Sequence, residues 1–172
     1  RTSWLRALGL GVRGPGFRVH CQLVPTIKGM DWFSLAAGEQ CPFDAPRAEP
    51  NAYWDSVSQL AVSTLCPLKN QVYRGHSILI YDPRHVSRPD QLTSDEWSTF
   101  ARDAHVAVKA LVELFRPEHI NVECLGNEMP HLHWHLIPRY KGDPRWGGPV
   151  WTTTREEMGT DVLPAQVRAR TL

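Results

Sequence analysis

At 172 residues, 42% of them hydrophobic, the chain has material for one compact domain with tails and too little for two full enzyme domains. Its 19 Lys and Arg against 18 Asp and Glu supply no global attraction for nucleic acid or for a membrane surface, and no apolar run approaches the roughly 20 residues that span a bilayer. Four cysteines (Cys21, Cys41, Cys66, Cys124), none in a C-x-x-C pair, read as reduced thiols of an intracellular, cytoplasmic protein, whereas eight histidines, three of them within five residues, point to a use.

Residues 1–30 hold Arg1, Arg6, Arg13, Arg18 and Lys28, several glycines and no acid. That is the composition of a sorting peptide, but more simply it is that of residues preceding a start at Met30. The segment is set aside as a basic, Gly-rich extension, leaving 31–151 as the expected domain and 152–172 as a polar C-terminal tail. Residues 31–55, with Pro42, Pro46 and Pro50, read as irregular lead-in. From Leu60 to Leu68, two sets of residues alternate in strand fashion up to Pro67. The apolar run Ser77 to Tyr81 reads as a buried strand, and Tyr73-Arg74-Gly75 is the turn that makes the two runs a hairpin.

The clearest helix follows. Thr93 offers an N-cap, Glu96 completes a capping box, and Pro117 stops the chain from continuing. Between them Trp97, Phe100, Ala101, Ala104, Val108, Leu111, Val112 and Phe115 recur at three- and four-residue steps, one apolar stripe facing a core. Strand signals return at Ile120, Val122 and Cys124, a Gly126-Asn127 turn follows, and then comes His131-Leu-His133-Trp-His135-Leu-Ile-Pro-Arg139. Strands, one long helix and strands again indicate an α+β domain with an antiparallel sheet.

On a strand, His131, His133 and His135 share one face over about 13 Å, with Leu132, Trp134 and Leu136 anchored behind them. Two chemistries use such a row. His-x-His chelates metals, but no further histidine follows His135 and Arg139 stands where a cupin-like site needs a carboxylate. A neutral imidazole is also a nucleophile near pH 7, and its neighbours can orient it and assist a leaving group on phosphorus. Its activity would then follow an imidazole titrating near neutrality.

The histidine run resembles the signature of the histidine triad (HIT) superfamily. Arg74-Gly75-His76 before the strand, Pro83-Arg84-His85-Val86 after it, and the helix from Ser94 are similar to the segments that surround that signature. Leu125-Gly126-Asn127 leading into the histidines resembles the diadenosine polyphosphate hydrolase-like branch. The resemblance, from about Cys41 to Trp151, implies a HIT-like fold, a homodimer and a nucleotide as small-molecule partner. The implied hydrolysis occurs at the α-phosphate through His133 as nucleophile, with His135 at the phosphate and leaving group and His131 holding His133 directly or through backbone. Asn70 and Asn127 match polar residues that contact ribose or phosphate. No cofactor and no metal is implied for the chemical step. Cys41-Pro-Phe-Asp44 stands where zinc-containing relatives carry Cys-x-x-Cys, so Cys41, Asp44, His85 and His131 are either a zinc site or its remnant. Trp146 and Trp151, among glycines and prolines, either stack on a base, cover a dimer seam or simply pack.

Overall fold

The computed structural model describes residues 31–46, 53–55 and 58–158, so the expectations for residues 1–30 and 159–172 fall outside the described residues. The chain runs through helix α1 (Trp32–Ala36), strands β1 (Ser58–Gln59), β2 (Ser63–Pro67) and β3 (Ser77–Tyr81), helix α2 (Ser94–Phe115), strands β4 (His119–Glu123) and β5 (His133–Arg139), and a last turn of helix α3 (Arg155–Met158). The strands form one antiparallel sheet in the order β1-β2-β3-β5-β4. The expected hairpin is β2 on β3, with Leu65 opposite Leu79.

Strand periodicity divides the sheet into two working faces. Leu65, Leu79, Tyr81, Leu132 and Leu136 point to the side covered by α2, where Phe100, Ala104, Leu111 and Phe115 meet them. Cys66, Ile78 and Ile80 point to the other side, beneath Cys41, Phe43 and Trp54. That second cover explains why every residue of β2 and β3 is buried. It also corrects the reading of 31–55 as wholly irregular: Asp31 caps α1 by accepting from the Ser34 N–H, and Pro42–Asp44 forms a 3₁₀ turn that drives Phe43 into the sheet.

Helix α2 begins at the expected capping box. The Glu96 N–H donates to Thr93 Oγ1, and the Thr93 N–H donates to Glu96 Oε2. It ends at Arg116, whose φ of 48° turns the chain ahead of Pro117. The stripe is narrower than expected. Trp97 and Val112 are about 40% exposed, while Asp103 and Ala107 are buried. Asp103 is tolerated there because its carboxylate accepts from the Ala61 and Val62 N–H groups and the Ser63 hydroxyl, joining α2 to the start of β2. The β2–β3 turn requires glycine at Gly75: φ is 86°, and a Cβ would lie 2.9 Å from Pro138 Cγ and 3.0 Å from Phe115 Cδ2.

Candidate active site

The strand expected from His131 starts at His133, and that offset gives the three histidines different surroundings. His133 and His135 face the same side of β5. There Ile80 pairs with His133 and Ile78 with His135, and the Phe43 ring lies edge-on to His133 at 5.1 Å. His131 precedes the strand, and its ring turns toward β3, where Nε2 lies 2.7 Å from the Tyr81 carbonyl.

Hydrogen-bond chemistry fixes the protons of the row. The His131 carbonyl, 2.6 Å from His133 Nδ1, can only accept. His133 therefore carries its proton on Nδ1 and keeps a lone pair on Nε2. His135 Nε2, 3.2 Å from that lone pair, must donate to it, which leaves His135 Nδ1 as an acceptor. His76 Nε2, 3.1 Å away, fills that place. Three neutral imidazoles are thus chained with every N–H pointing toward the His131 carbonyl. Burial favours this neutral state: it lowers His133 below the usual imidazole value and His76 to about 4, and burial with the nearby His76 and His133 takes His135 down to about 2. The titration expected near neutrality is therefore displaced to lower pH.

In the sequence His76 stands out only as part of the Arg74-Gly75-His76 motif. It is buried, and its role depends on the pairing of β3 with β5, a long-range fact that local pattern does not carry. Trp151 joins the site in the same way. Its ring centroid lies 4.7 Å from that of His135, and its indole N–H bonds the carboxylate of Glu123, which pairs with His135 across β4–β5. The row opens into a cavity of about 670 Å³, within the size range of small-molecule sites. Phe43, Tyr53 and Trp54 wall one part of it, and Leu125, Asn127 and Met129 another. Asn127 thus stands in the cavity with His133 and His135, and Trp151 lines it too. Asn70 is not among the lining residues; its side-chain oxygen accepts from the Val72 N–H in a local turn. Trp146 lies in the loop after β5, 39% exposed, and is not among the lining residues either.

A second cluster shares His131. One donor atom each from Cys41, Asp44, His85 and His131 lies within 4.8 Å of the others. His131 Nδ1 is 3.3 Å from Asp44 Oδ1 and 3.6 Å from Cys41 Sγ, and His85 Nδ1 is 2.9 Å from Asp44 Oδ2. Both imidazoles spend their Nε2–H on carbonyls, His131 on Tyr81 and His85 on Ala36. Their Nδ1 lone pairs therefore face a carboxylate that also only accepts. Protons or a cation must lie between them, and a thiol, a carboxylate and two imidazoles with fixed outer partners suit a four-coordinate Zn²⁺. Without a cation, burial pushes the Cys41 thiol up to about 11.

Residues 61–142 match the model of the HIT domain. An uncharacterized HIT-like protein of Methanocaldococcus jannaschii is 31% identical over 74 residues, 41% of this chain. The match spans 57% of that relative's length. A histidine triad (HIT) protein from Sinorhizobium meliloti 1021 superposes with a TM-score of 0.61 at 22% identity, covering 68% of this chain and 83% of that one. A histidine triad protein from Marinobacter aquaeolei VT8 gives 0.55 at 25% identity, covering 59% and 74%. The five-stranded antiparallel sheet with one long helix is the fold of these neighbours, and residues 61–142 are similar to the HIT domain. Among the described residues no helix is long and apolar enough to cross a membrane.

The buried histidines make stability depend on pH. An unfolded His76 takes a proton below about 6.5, whereas the folded one resists until about 4. Between these values the unfolded chain binds more protons, so stability falls as pH drops through the window. Thermal denaturation of the wild type from pH 7 to 4 should show a falling Tm, and His76→Gln should flatten part of that slope. An unchanged slope in the variant would remove His76 from the account.

Proposed function

We propose that the chain hydrolyses nucleoside phosphate derivatives at the α-phosphate through a covalent nucleotidyl-His133, with dinucleoside polyphosphates and nucleoside phosphoramidates as the substrate classes. The observation that carries this reading is the lone pair on His133 Nε2, held by the His131 carbonyl behind it at the wall of an aromatic-lined cavity. A neutral imidazole with its other nitrogen already committed is a nucleophile that needs no base. Family kinship supports the nucleotide class, and the cavity supplies apolar surface for a base.

In the first step the Nε2 pair of His133 attacks phosphorus. The bond to the leaving group breaks with its electrons: a polyphosphate departs as an anion, and the nitrogen of a phosphoramidate departs as an amine on taking up a proton from solvent. His133 then bears phosphorus on Nε2 and its original proton on Nδ1, a cationic ring against the His131 carbonyl. Released from His133, the Nε2–H of His135 donates to a phosphoryl oxygen, while His76 keeps His135 in that tautomer. Water attacks phosphorus in the second step, the N–P pair returns to His133, and one proton is released. Asn127, on the cavity wall, contacts phosphate or ribose; Asn70, outside that wall, takes no part in this scheme. The protein acts as a homodimer; Val106, Val112 and Leu114 on α2 and Val122 on the sheet-edge strand β4 offer exposed apolar surface for one.

Cys41, Asp44, His85 and His131 would hold Zn²⁺. When bound, the ion neutralises their facing acceptors and fixes the segment that carries Phe43; the nucleophile makes no contact with it in this scheme. Purified protein should bind about one equivalent of Co²⁺ with thiolate-to-metal absorption, and Cys41→Ser should lose that absorption. Binding with unchanged absorption in Cys41→Ser would reject the four-residue site.

Turnover tests the main reading. Wild type incubated with diadenosine polyphosphate and with adenosine phosphoramidate, in the presence of EDTA, should release AMP. His133→Ala should fall by at least about 10³-fold, the loss expected for removing a nucleophile. Transfer of the nucleotidyl group to an added metabolite in preference to water would make the protein a transferase, and nucleotide binding without consumption would make it a sensor. AMP release surviving in His133→Ala would overturn the mechanism.

A further inference from the structure

The cavity has aromatic surface at both ends of the histidine row, and the two ends differ. Phe43 and Trp54, beside His133, are almost fully buried, at 6% and 8% exposure, and pack edge-to-face with each other. Trp151, beside His135, is 45% exposed although its ring meets His135 and its N–H is engaged. An indole anchored by its N–H and still nearly half exposed offers aromatic surface for stacking.

The surrounding residues hold that surface in place. Arg139 lies on β5 on the same side as His133 and His135, and is 3% exposed. Its guanidinium donates to the carbonyls of Pro144, Arg145 and Gly148 and to Asn121 Oδ1, and it pairs with Asp143. Tyr73 lies under the guanidinium at 5.3 Å, and its hydroxyl bonds the Pro144 carbonyl and the Thr153 hydroxyl. Val150, buried with Tyr73 and Ile137, pins the turn from the other side. The loop that carries Trp151 is therefore tied to the strand that carries the histidines by a buried charge with its donors committed.

We infer that Trp151 forms the leaving-group subsite and selects nucleotide derivatives whose departing group carries a flat aromatic ring, such as a second nucleobase or an aryl ester. This rests on the reading of His133 as a nucleophile toward nucleotides. Its further warrant is the order of events in a two-step displacement. The nucleotidyl half stays bound after the first step and suits the enclosed wall of Phe43 and Trp54. The other half must leave before water enters, and it suits a wall that contacts it on one face and opens to solvent.

The test measures binding, so that chemistry does not enter it. On a His133→Ala background, calorimetry compares the methyl, cyclohexyl and phenyl monoesters of AMP, which carry equal charge. The phenyl ester should bind about tenfold more tightly than the methyl ester, the size of one aromatic stacking contact, and more tightly than the cyclohexyl ester of similar bulk. Trp151→Ala should bring the phenyl-to-methyl ratio close to one, and Trp151→Phe should keep most of it. A variant that merely loosened the site would weaken all three esters together and leave the ratio in place. A ratio near one in the starting protein, or one that survives Trp151→Ala, overturns the inference and leaves the nucleotide reading standing. Failure of all three esters and of AMP to bind overturns both.

Discussion

The carbonyl oxygen of His131 holds the His133 Nδ1–H at 2.6 Å, and the direction of the whole proton chain follows from that contact. A carbonyl cannot donate, so the lone pair of His133 must be on Nε2, His135 must donate to it and His76 must donate to His135. Had a carboxylate stood at that place, His133 would tend toward the imidazolium and lose the free pair on Nε2. The position of the carbonyl is itself controlled. The ring of His131 is held by the Tyr81 carbonyl, and the next residue, Leu132, exchanges backbone hydrogen bonds with Val86 and Tyr81.

His131 therefore works in two places at once. Its backbone carbonyl holds the His133 ring, and its Nδ1 belongs to the cluster of Cys41, Asp44 and His85. Phe43 lies in sequence between Cys41 and Asp44 of that cluster, with its ring in T-shaped contact with both His131 and His133. The lead-in segment, the cluster and the cavity wall are in this way one mechanical unit built on the sheet face away from α2. The α2 face supplies the apolar packing that makes β3 and β5 rigid, and the opposite face spends that rigidity on holding imidazoles about 3 Å apart.

What was legible in the sequence followed from local rules. The capping box at Thr93 and Glu96, the apolar run of β3 and the β2–β3 hairpin are short-range signals, and each corresponds to an element of the structure. The spacing of His133 and His135 needed only the two-residue repeat of a strand. His131 departed from that repeat because the strand begins after it, a boundary set by contacts with Tyr81 and Val86 rather than by its own residue type. His76 and Trp151 were legible only as residues of a motif and of a loop. Their places depend on β3 pairing with β5 and on Arg139 gathering the carbonyls of the following loop. The short helix α1 is not legible because five residues between Gly29 and Gly38 carry too little periodicity to register.

The most direct test of this account is the tautomeric state of the three imidazoles, read from long-range ¹H–¹⁵N correlations of ¹⁵N-histidine-labelled protein at pH 7, with His76→Gln, His133→Gln and His135→Gln for assignment. The account predicts neutral rings with the proton on Nδ1 in His133 and on Nε2 in His135 and His76. A protonated, doubly N–H-bearing His133, or its proton on Nε2, would contradict it, because the nitrogen facing the cavity would then have no pair to give.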